Sequence, residues 1–191
     1  SEQMVECQAG NVRDAVLIQH ARIGCGAGQV PYNSIYRNGL AMRGHKVENI
    51  RIINTNLQET DMVFGALGKL KQSIDDAYER YSPKAIFIGT SCATGIIGED
   101  IESVEDEKQK ALGIPVIPLF CDGWWYKHWS TGFDATQHGF LRQIVKKNPK
   151  KKEELVNVIN HWDSDIFTPM LKELNWRVNY VVELASVQDS E

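Results

Sequence analysis

The sequence predicts an α/β protein with a doubly wound, mainly parallel sheet and helices on both of its faces. Along the 191 residues, short apolar runs of strand length alternate with longer amphipathic segments. The clearest helical pattern spaces apolar side chains three or four residues apart, at Val63, Leu67, Leu70, Ile74 and Ala77. Repeated strand–helix–strand order is typical of βαβ units, which form parallel sheets.

Strands are predicted where a short apolar run stands between turn-forming residues. The third and fourth runs are apolar nearly throughout, which is typical of strands buried on both faces. The six predicted strands cover residues 15–19, 50–54, 84–89, 116–120, 156–160 and 178–182.

Helices are predicted in the segments between these strands. Gly44 and Gly113 end the first and third helix, and Pro83 ends the second. Thr60 and Asp134 are the expected N-caps of the second and fourth. The five predicted helices cover residues 29–43, 60–81, 98–112, 134–147 and 165–174.

The composition is that of an ordinary globular protein, with 42% hydrophobic residues and a net charge of −4. This charge gives no reason to expect nucleic acid or an anionic membrane as a partner. Without a membrane-spanning run or an export signal, we expect a cytoplasmic location. Residues 1–150 are predicted to form one α/β domain with cysteine loops, and 151–191 its continuation or the start of a second unit. A lysine-rich run at 146–154 lies at this boundary, where a solvated helix end is expected.

The four cysteines are the most informative residues. Cys25, Cys92 and Cys121 each follow a predicted strand, and the carboxyl ends of parallel strands share one edge, where open α/β folds bind ligands. Gly24, Gly26 and Gly95 adjoin the first two cysteines, and glycines let backbone N–H groups approach an anion closely. Cysteines in such loops suit an iron–sulfur cluster. Cys7, before the first strand, has to fold back to reach the same edge.

Other interpretations of these cysteines and glycines stay open. Because no CxxC motif occurs, zinc is weakly supported and a thioredoxin-type redox centre is unsupported. A nucleotide site is weakly supported because the glycines form neither GxGxxG nor a P-loop. Cys92 as a nucleophile, with His20, His128 or His138 as its base, is a further alternative. Each cysteine taken alone is also compatible with a buried structural role.

Five segments resemble the nitrogenase component 1 superfamily, which comprises α-type nitrogenase subunits, their cofactor-assembly scaffold and related reductases. The most specific is TSCATGIIGED at 90–100. The others are HARIGC at 20–25, TNLQETDMVFG at 55–65, PVIPLFCDG at 115–123 and LVNVIN at 155–160. The resemblance covers most of the chain and implies a Rossmann-like first domain of such a subunit.

The resemblance implies an iron–sulfur cluster at a subunit interface, held by Cys7, Cys25 and Cys92 and completed by a homologous partner subunit. It further implies that an ATP-dependent iron protein reduces this cluster. Cys121 matches a family cysteine near the substrate cavity that is not usually a cluster ligand. Electrons would pass on to a reducible substrate or a further metallocofactor.

The chain also departs from the family pattern. Catalytic members are longer, and later segments, which have no counterpart here, hold their cofactor. Trp124-Trp125-Tyr126 stands where cofactor-binding members commonly have Phe-Arg. These aromatic residues fill a core or interface, or they line a pocket for a planar ligand. Charge near the substrate cavity would come from Lys127 and His128. Gln137 and His138 are expected in the first turn of the helix that starts at Asp134, where they would line the cavity.

Three further polar residues have a functional and a structural interpretation. His20, beside the Cys25 loop, either tunes the cluster through a hydrogen bond or is a satisfied histidine of the sheet edge. Glu99 and Asp100 are expected to favour a helix N-terminus, with proton transfer as their alternative role.

Together these observations predict a nitrogenase-like oxidoreductase subunit or domain that binds an iron–sulfur cluster at a subunit interface and relays electrons. We expect the 191-residue chain to be inactive alone. Two alternatives remain: a cofactor-assembly scaffold without turnover, and a flavodoxin-like or nucleotide-binding domain with structural cysteines.

Overall fold

The computed structural model describes residues 2–42, 44–125, 128–145, 155–159 and 167–182. Its strands are β1 (Ala15–Gln19), β2 (Ile52–Asn54), β3 (Ala85–Gly89), β4 (Val116–Leu119), β5 (Leu155–Ile159) and β6 (Arg177–Val182). The first four form a parallel sheet in the order β2–β1–β3–β4, and β5 pairs with β6 in a separate parallel sheet. The predicted fold class is confirmed, and each strand was predicted to within two residues of its bounds.

The helices lie between the strands and on both faces of the larger sheet. A 3₁₀ turn, Ile23–Gly28, leads directly into α2, and a π-helical segment, Phe140–Ile144, continues α7. The α-helices are α1 (Glu2–Ala9), α2 (Gln29–Met42), α3 (Glu59–Phe64), α4 (Leu67–Tyr81), α5 (Cys92–Ile97), α6 (Ile101–Leu112), α7 (Thr131–Gly139) and α8 (Phe167–Glu173).

Two apolar layers hold the four-stranded sheet. Alternate residues of a strand point to opposite faces. Leu17 and Phe87 therefore pack with α1 and the π-helical segment, while Ile18 and Ile88 pack with α4 and α6. Phe87 and Phe140 stack at 5.2 Å between ring centroids. With both faces covered, the sheet exposes its carboxyl edge as the place for chemistry.

The helix predicted over 60–81 is wrong in one respect, because the chain forms two helices there. Gly65 has φ 84° and ψ 159°, a conformation that interrupts a helix and that glycine tolerates. The N–H of Ala66 is bound by the carboxylate of Glu99 and so does not continue the helical ladder. Val63, which extended the apolar pattern, is 74% exposed.

Two helices were not predicted at all. In α1 the buried residues include Glu6 and Gln8, so the helix has no apolar pattern by which to recognise it. In α5 only six residues are helical, and a capping box starts the helix: the hydroxyl of Thr94 accepts the N–H of Ser91 at 2.8 Å, and the hydroxyl of Ser91 accepts the N–H of Thr94 at 3.4 Å.

The starts of α6 and α7 also differ from expectation. Asp100 caps α6, accepting the N–H of Ser103 at 3.0 Å, so the helix starts at Ile101 and not at residue 98. α7 begins at Thr131, so Asp134 is an exposed residue inside the helix and not its N-cap. Gln137 therefore lies beyond the first turn, contrary to the prediction. The lysine-rich run at 146–154 and the boundary near residue 150 lie outside the described residues.

Candidate functional site

The carboxyl edge of the sheet is where the predicted cysteine segments begin. Gln19, Gly89 and Leu119 are paired in register at the ends of β1, β3 and β4. Cys25, Cys92 and Cys121 follow these three strand ends. Their predicted placement after the strand ends therefore agrees with the topology, although the three thiols have different surroundings.

Cys25 and Cys92 are the exposed thiols of this edge. Cys25 lies in the 3₁₀ turn and Cys92 is the first residue of α5. The pKa of Cys25 is raised to about 11, first by burial and then by the negative charge of Glu2. The thiol of Cys92 also raises the pKa of Cys25. The two cysteines therefore lie within electrostatic reach of each other.

Cys7 belongs to α1 and is buried. Burial raises the pKa of its thiol to about 11, although a hydrogen bond with Tyr32 opposes the rise. Helix α1 does fold back to the carboxyl edge. Its residue Val5 lies beside Gly89, the last residue of β3, because a Cβ placed on Gly89 would lie 3.6 Å from Cγ1 of Val5. The structure thus brings the segment of Cys7 to the edge and leaves its thiol covered.

Two carboxyl groups of α1 face the 3₁₀ turn. Glu2 hydrogen-bonds Cys25, and burial raises the pKa of Glu2 to about 7. Glu6 is fully buried, and neither of its carboxylate oxygens has a hydrogen-bond partner in the part of the chain that the structure describes. Burial, and then the charge of Glu2, raise the pKa of Glu6 to about 8. No motif or spacing in the sequence points to either carboxyl group.

The three predicted glycines differ in what they allow. A Cβ on Gly26 would lie 2.9 Å from Nε2 of Gln29, and one on Gly95 only 2.6 Å from Oδ2 of Asp122. Gly24 has nothing within 4 Å of the same position. Gly26 and Gly95 are therefore needed for close packing, while Gly24 leaves open space beside Cys25.

Cys121 is fully buried at the end of β4. Its thiol donates to the carbonyl oxygen of Thr90 at 3.0 Å, and burial raises its pKa. The hydroxyl of Thr90 also donates to Oδ1 of Asp122 at 2.8 Å. Cys121 therefore contributes to joining the ends of β3 and β4 and does not face open space.

The other predicted cavity residues that the structure describes have different neighbours. Trp124 and Trp125 are exposed and stack at 4.5 Å between ring centroids, and His128 is exposed, while Lys127 lies outside the described residues. The amide of Gln137 donates to Oε1 of Gln8 on α1 at 3.5 Å. Gln137 therefore contacts α1, while the two tryptophans contact each other.

His138 instead lines a groove of about 430 Å³ between α6 and the π-helical segment. The groove is polar, with Glu105 and Asp106 on one side and Arg142 and Gln143 on the other. The amide of Gln143 donates to Oε1 of Glu105 at 3.0 Å, which links the two sides of the groove by a contact within the chain.

A buried polar network beside the cysteines was only half predicted. Nε2 of His20 lies 2.7 Å from Oε2 of Glu99, and its Nδ1 lies 3.1 Å from Oγ1 of Thr55. His20 is fully buried and the Glu99 side chain is 4% exposed. His20 is thus a satisfied histidine, as one interpretation had it. Glu99 is not a helix-terminal carboxylate, and only a three-dimensional contact reveals its partner.

Among the described residues, no group of three or more His, Cys, Asp or Glu side chains is arranged to hold a metal ion. In the same part of the chain, no helix is both long and apolar enough to cross a bilayer.

Comparison with known proteins decides the family. The model of the nitrogenase component 1 type oxidoreductases matches residues 5–190. The chain belongs to this family. The match includes all four cysteines, and the predicted resemblance is confirmed as one to the N-terminal region of such proteins.

The relatives include two kinds of nitrogenase-related protein. The chain is 31% identical over 181 residues to the nitrogenase molybdenum-iron protein alpha chain of Clostridium pasteurianum, covering 89% of this chain and 33% of the relative. It is 29% identical over 161 residues to the nitrogenase iron-molybdenum cofactor biosynthesis protein NifE of Methanococcus maripaludis, covering 80% and 31%. The chain spans about a third of the length of these relatives.

A solved structure supports the same assignment. The chain superposes on the structure titled "Nitrogenase Cp1 at pH 5" with a TM-score of 0.75 and 28% identity, covering 98% of this chain and 39% of the other. The nitrogenase component 1 fold therefore extends over the whole parallel sheet described above.

Proposed function

We propose that this nitrogenase component 1 family member contributes an iron–sulfur cluster site to an interface with a homologous subunit and takes part in electron relay. One observation carries the proposal: Cys25 and Cys92 are exposed thiols within electrostatic reach of each other, and they follow the carboxyl ends of the paired strands β1 and β3. Thiolates are the usual ligands of iron–sulfur clusters.

Two exposed thiols and their surroundings fit one side of such a cluster, although no third His, Cys, Asp or Glu side chain joins them in a metal-binding group among the described residues. Gly24 leaves space beside Cys25. Buried Nε2 groups of Gln8 and Gln19 lack partners among the described residues and are donors of the kind that stabilise cluster sulfides. Cys7 is proposed as the third ligand on the strength of its family motif, although its thiol is covered.

When bound, such a cluster would accept and pass on single electrons. The residues of this chain would hold it and control its surroundings. Cys25 and Cys92 would bind iron as thiolates, so the raised pKa of Cys25 means that loading releases a proton there at neutral pH. The half-buried Glu2 and the buried Glu6 would limit water access from the side of α1.

Exposed apolar residues next to both cysteines support a homologous subunit as partner. Ile23, two residues before Cys25, is 66% exposed, and Ile96, in the same helix as Cys92, is 69% exposed. Large apolar side chains at such positions are typical of interfaces. An ATP-dependent iron protein as the electron donor rests on family membership alone.

Anaerobic reconstitution with iron and sulfide tests the proposal. We expect bound iron and a broad brown absorbance when the chain is coexpressed with its homologous subunit, and less of both for an Ile96→Glu variant with a weakened interface. Failure of the complex to bind iron, with both chains folded, would overturn the proposal.

A cofactor-assembly scaffold is the second candidate function. The similar identity to a cofactor biosynthesis protein and to nitrogenase alpha chains favours keeping it. A scaffold loads a metal cluster and transfers it to an acceptor protein without substrate turnover, whereas a reductase subunit keeps its cluster during repeated reduction and oxidation.

A further inference from the structure

The buried histidine beside the cysteine segments has hydrogen-bond partners for two protonation states. His20 follows the last residue of β1, and its backbone N–H donates to the carbonyl of Gly89 at the end of β3 at 2.9 Å. It therefore lies between the strand ends that lead to Cys25 and Cys92. Its side chain is fully buried.

The carboxylate of Glu99 fixes one side of the imidazole ring. A carboxylate only accepts hydrogen bonds, so the 2.7 Å contact places a proton on Nε2 of His20. The other carboxylate oxygen of Glu99 accepts the N–H of Ala66. Glu99 can therefore serve both neutral and charged forms of His20 without moving.

The hydroxyl of Thr55 provides the variable partner. It accepts the N–H of Ala21 at 3.2 Å, and its own hydrogen can point to Nδ1 of His20 at 3.1 Å or to the carbonyl of Gln19 at 3.4 Å. In neutral His20, Thr55 donates to Nδ1. In the imidazolium, Nδ1–H donates to Thr55, whose hydrogen turns to Gln19.

The charged groups around His20 are Glu99, from the turn between α5 and α6, and Asp61, from α3. Lys69 of α4 pairs with Asp61 at 2.6 Å and offsets its charge. Burial, the largest influence, lowers the pKa of His20, and Glu99 opposes this. The ring is therefore neutral near pH 7, with Nδ1 unprotonated and accepting the hydrogen bond of Thr55.

We propose that His20, with Thr55 as its switching partner and Glu99 as its anchor, binds one proton when an electron is added at the cysteine edge. This rests on the proposed function for the site of the electron. The electron comes from a low-potential one-electron donor, the proton comes from solvent, and the new bond is Nδ1–H of His20. Negative charge added near a buried base increases its proton affinity because the interior screens charges weakly.

The first experiment does not depend on a cluster. Nitrogen-15 NMR of the imidazole groups in the whole chain should show His20 as the Nε2–H form at pH 7.5. Thr55→Val removes the acceptor for Nδ1–H and should lower the pKa of His20 by about one unit, while Thr55→Ser keeps it. An Nδ1–H form of His20, or a Thr55→Val pKa equal to that of the wild type, would overturn the inference.

The second experiment uses the reconstituted complex and a potentiometric titration with dithionite. The midpoint potential should fall with pH at a slope approaching 59 mV per unit, the one-electron value for a tenfold change. His20→Gln should flatten this slope, and His45→Gln, a matched change remote from the edge, should not. A pH-independent potential in a loaded wild-type complex would refute the proton coupling and leave the cluster proposal standing. Failure of the folded complex to load iron would refute the cluster proposal alone.

Discussion

Oε2 of Glu99 lies 2.7 Å from Nε2 of His20, and this buried contact joins two segments that are far apart in sequence. Glu99 directly follows α5, which begins at Cys92, and His20 precedes the turn that carries Cys25. Because Glu99 also binds the N–H of Ala66, one carboxylate fixes three segments at the carboxyl edge.

Loss of this carboxylate should destabilise the fold. Glu99→Ala leaves the buried N–H groups of His20 and Ala66 without an acceptor, so we expect the free energy of unfolding to fall by about 2–4 kcal/mol. Glu99→Gln retains one acceptor and should cost less. Urea unfolding at pH 7.5 measures this, with the exposed Glu79→Ala as control. Equal values for Glu99→Ala and Glu79→Ala would contradict the role of Glu99.

Gly95→Ala should disturb the packing between α5 and Asp122. The added Cβ would lie 2.6 Å from Oδ2 of Asp122 and would push that carboxylate away from Thr90. We expect a loss of about 1–3 kcal/mol. Gly24→Ala is the matched control, because nothing lies within 4 Å of its Cβ position. Thermal unfolding should separate the two variants, and an equally stable Gly95→Ala would argue against the contact.

Thiol modification should distinguish the four cysteines. Cys25 and Cys92 are exposed, whereas Cys7 and Cys121 are buried. Iodoacetamide at pH 8 should therefore label the first pair in the folded chain and all four after unfolding, as read by peptide mass spectrometry. The raised pKa of Cys25 should make its labelling strongly pH-dependent. Rapid labelling of Cys121 in the folded chain would contradict its burial.

Stability should decrease as the pH rises toward 8. Glu6 has a folded pKa of about 8 against an ordinary value of 4.5, so the folded state holds a proton that the unfolded chain releases. The stabilisation is complete below pH 4.5 and is lost as the pH rises through about 8. The free energy of unfolding lost between pH 6.5 and 8.5 should be smaller in Glu6→Gln than in the wild type by more than about 1 kcal/mol. Chemical denaturation at several pH values tests this, with exposed Glu59→Gln as control. A decline unchanged by Glu6→Gln would show that Glu6 is not its source.

The sheet could be predicted because strands such as Ala85–Gly89 are apolar on both faces and end in glycine. The placement of the cysteines at one edge followed from parallel topology alone. The prediction of one helix over 60–81 failed at Gly65. The apolar spacing continues across this residue, and the spacing alone does not reveal that its positive φ breaks the helix.

A second group of errors concerns buried polar residues. Glu6 and Gln8 are buried in α1, and Glu99 pairs with His20 across the fold. Hydrophobic periodicity treats such residues as surface, and their partners are set by tertiary contacts that no local spacing encodes. The same limit explains why Gln137 and His138 could be placed on one helix but not in their separate surroundings.

The most direct test of the cluster proposal is the iron content of matched cysteine variants. Cys25→Ser and Cys92→Ser should each lower the iron and sulfide retained by the reconstituted complex and change its electron paramagnetic resonance spectrum. Cys121→Ser should retain the wild-type iron content, because a serine hydroxyl can still donate to the carbonyl of Thr90. If Cys25→Ser and Cys92→Ser bind as much iron as Cys121→Ser, or if none of the folded complexes binds iron, the exposed thiols are not the ligands and the account is contradicted.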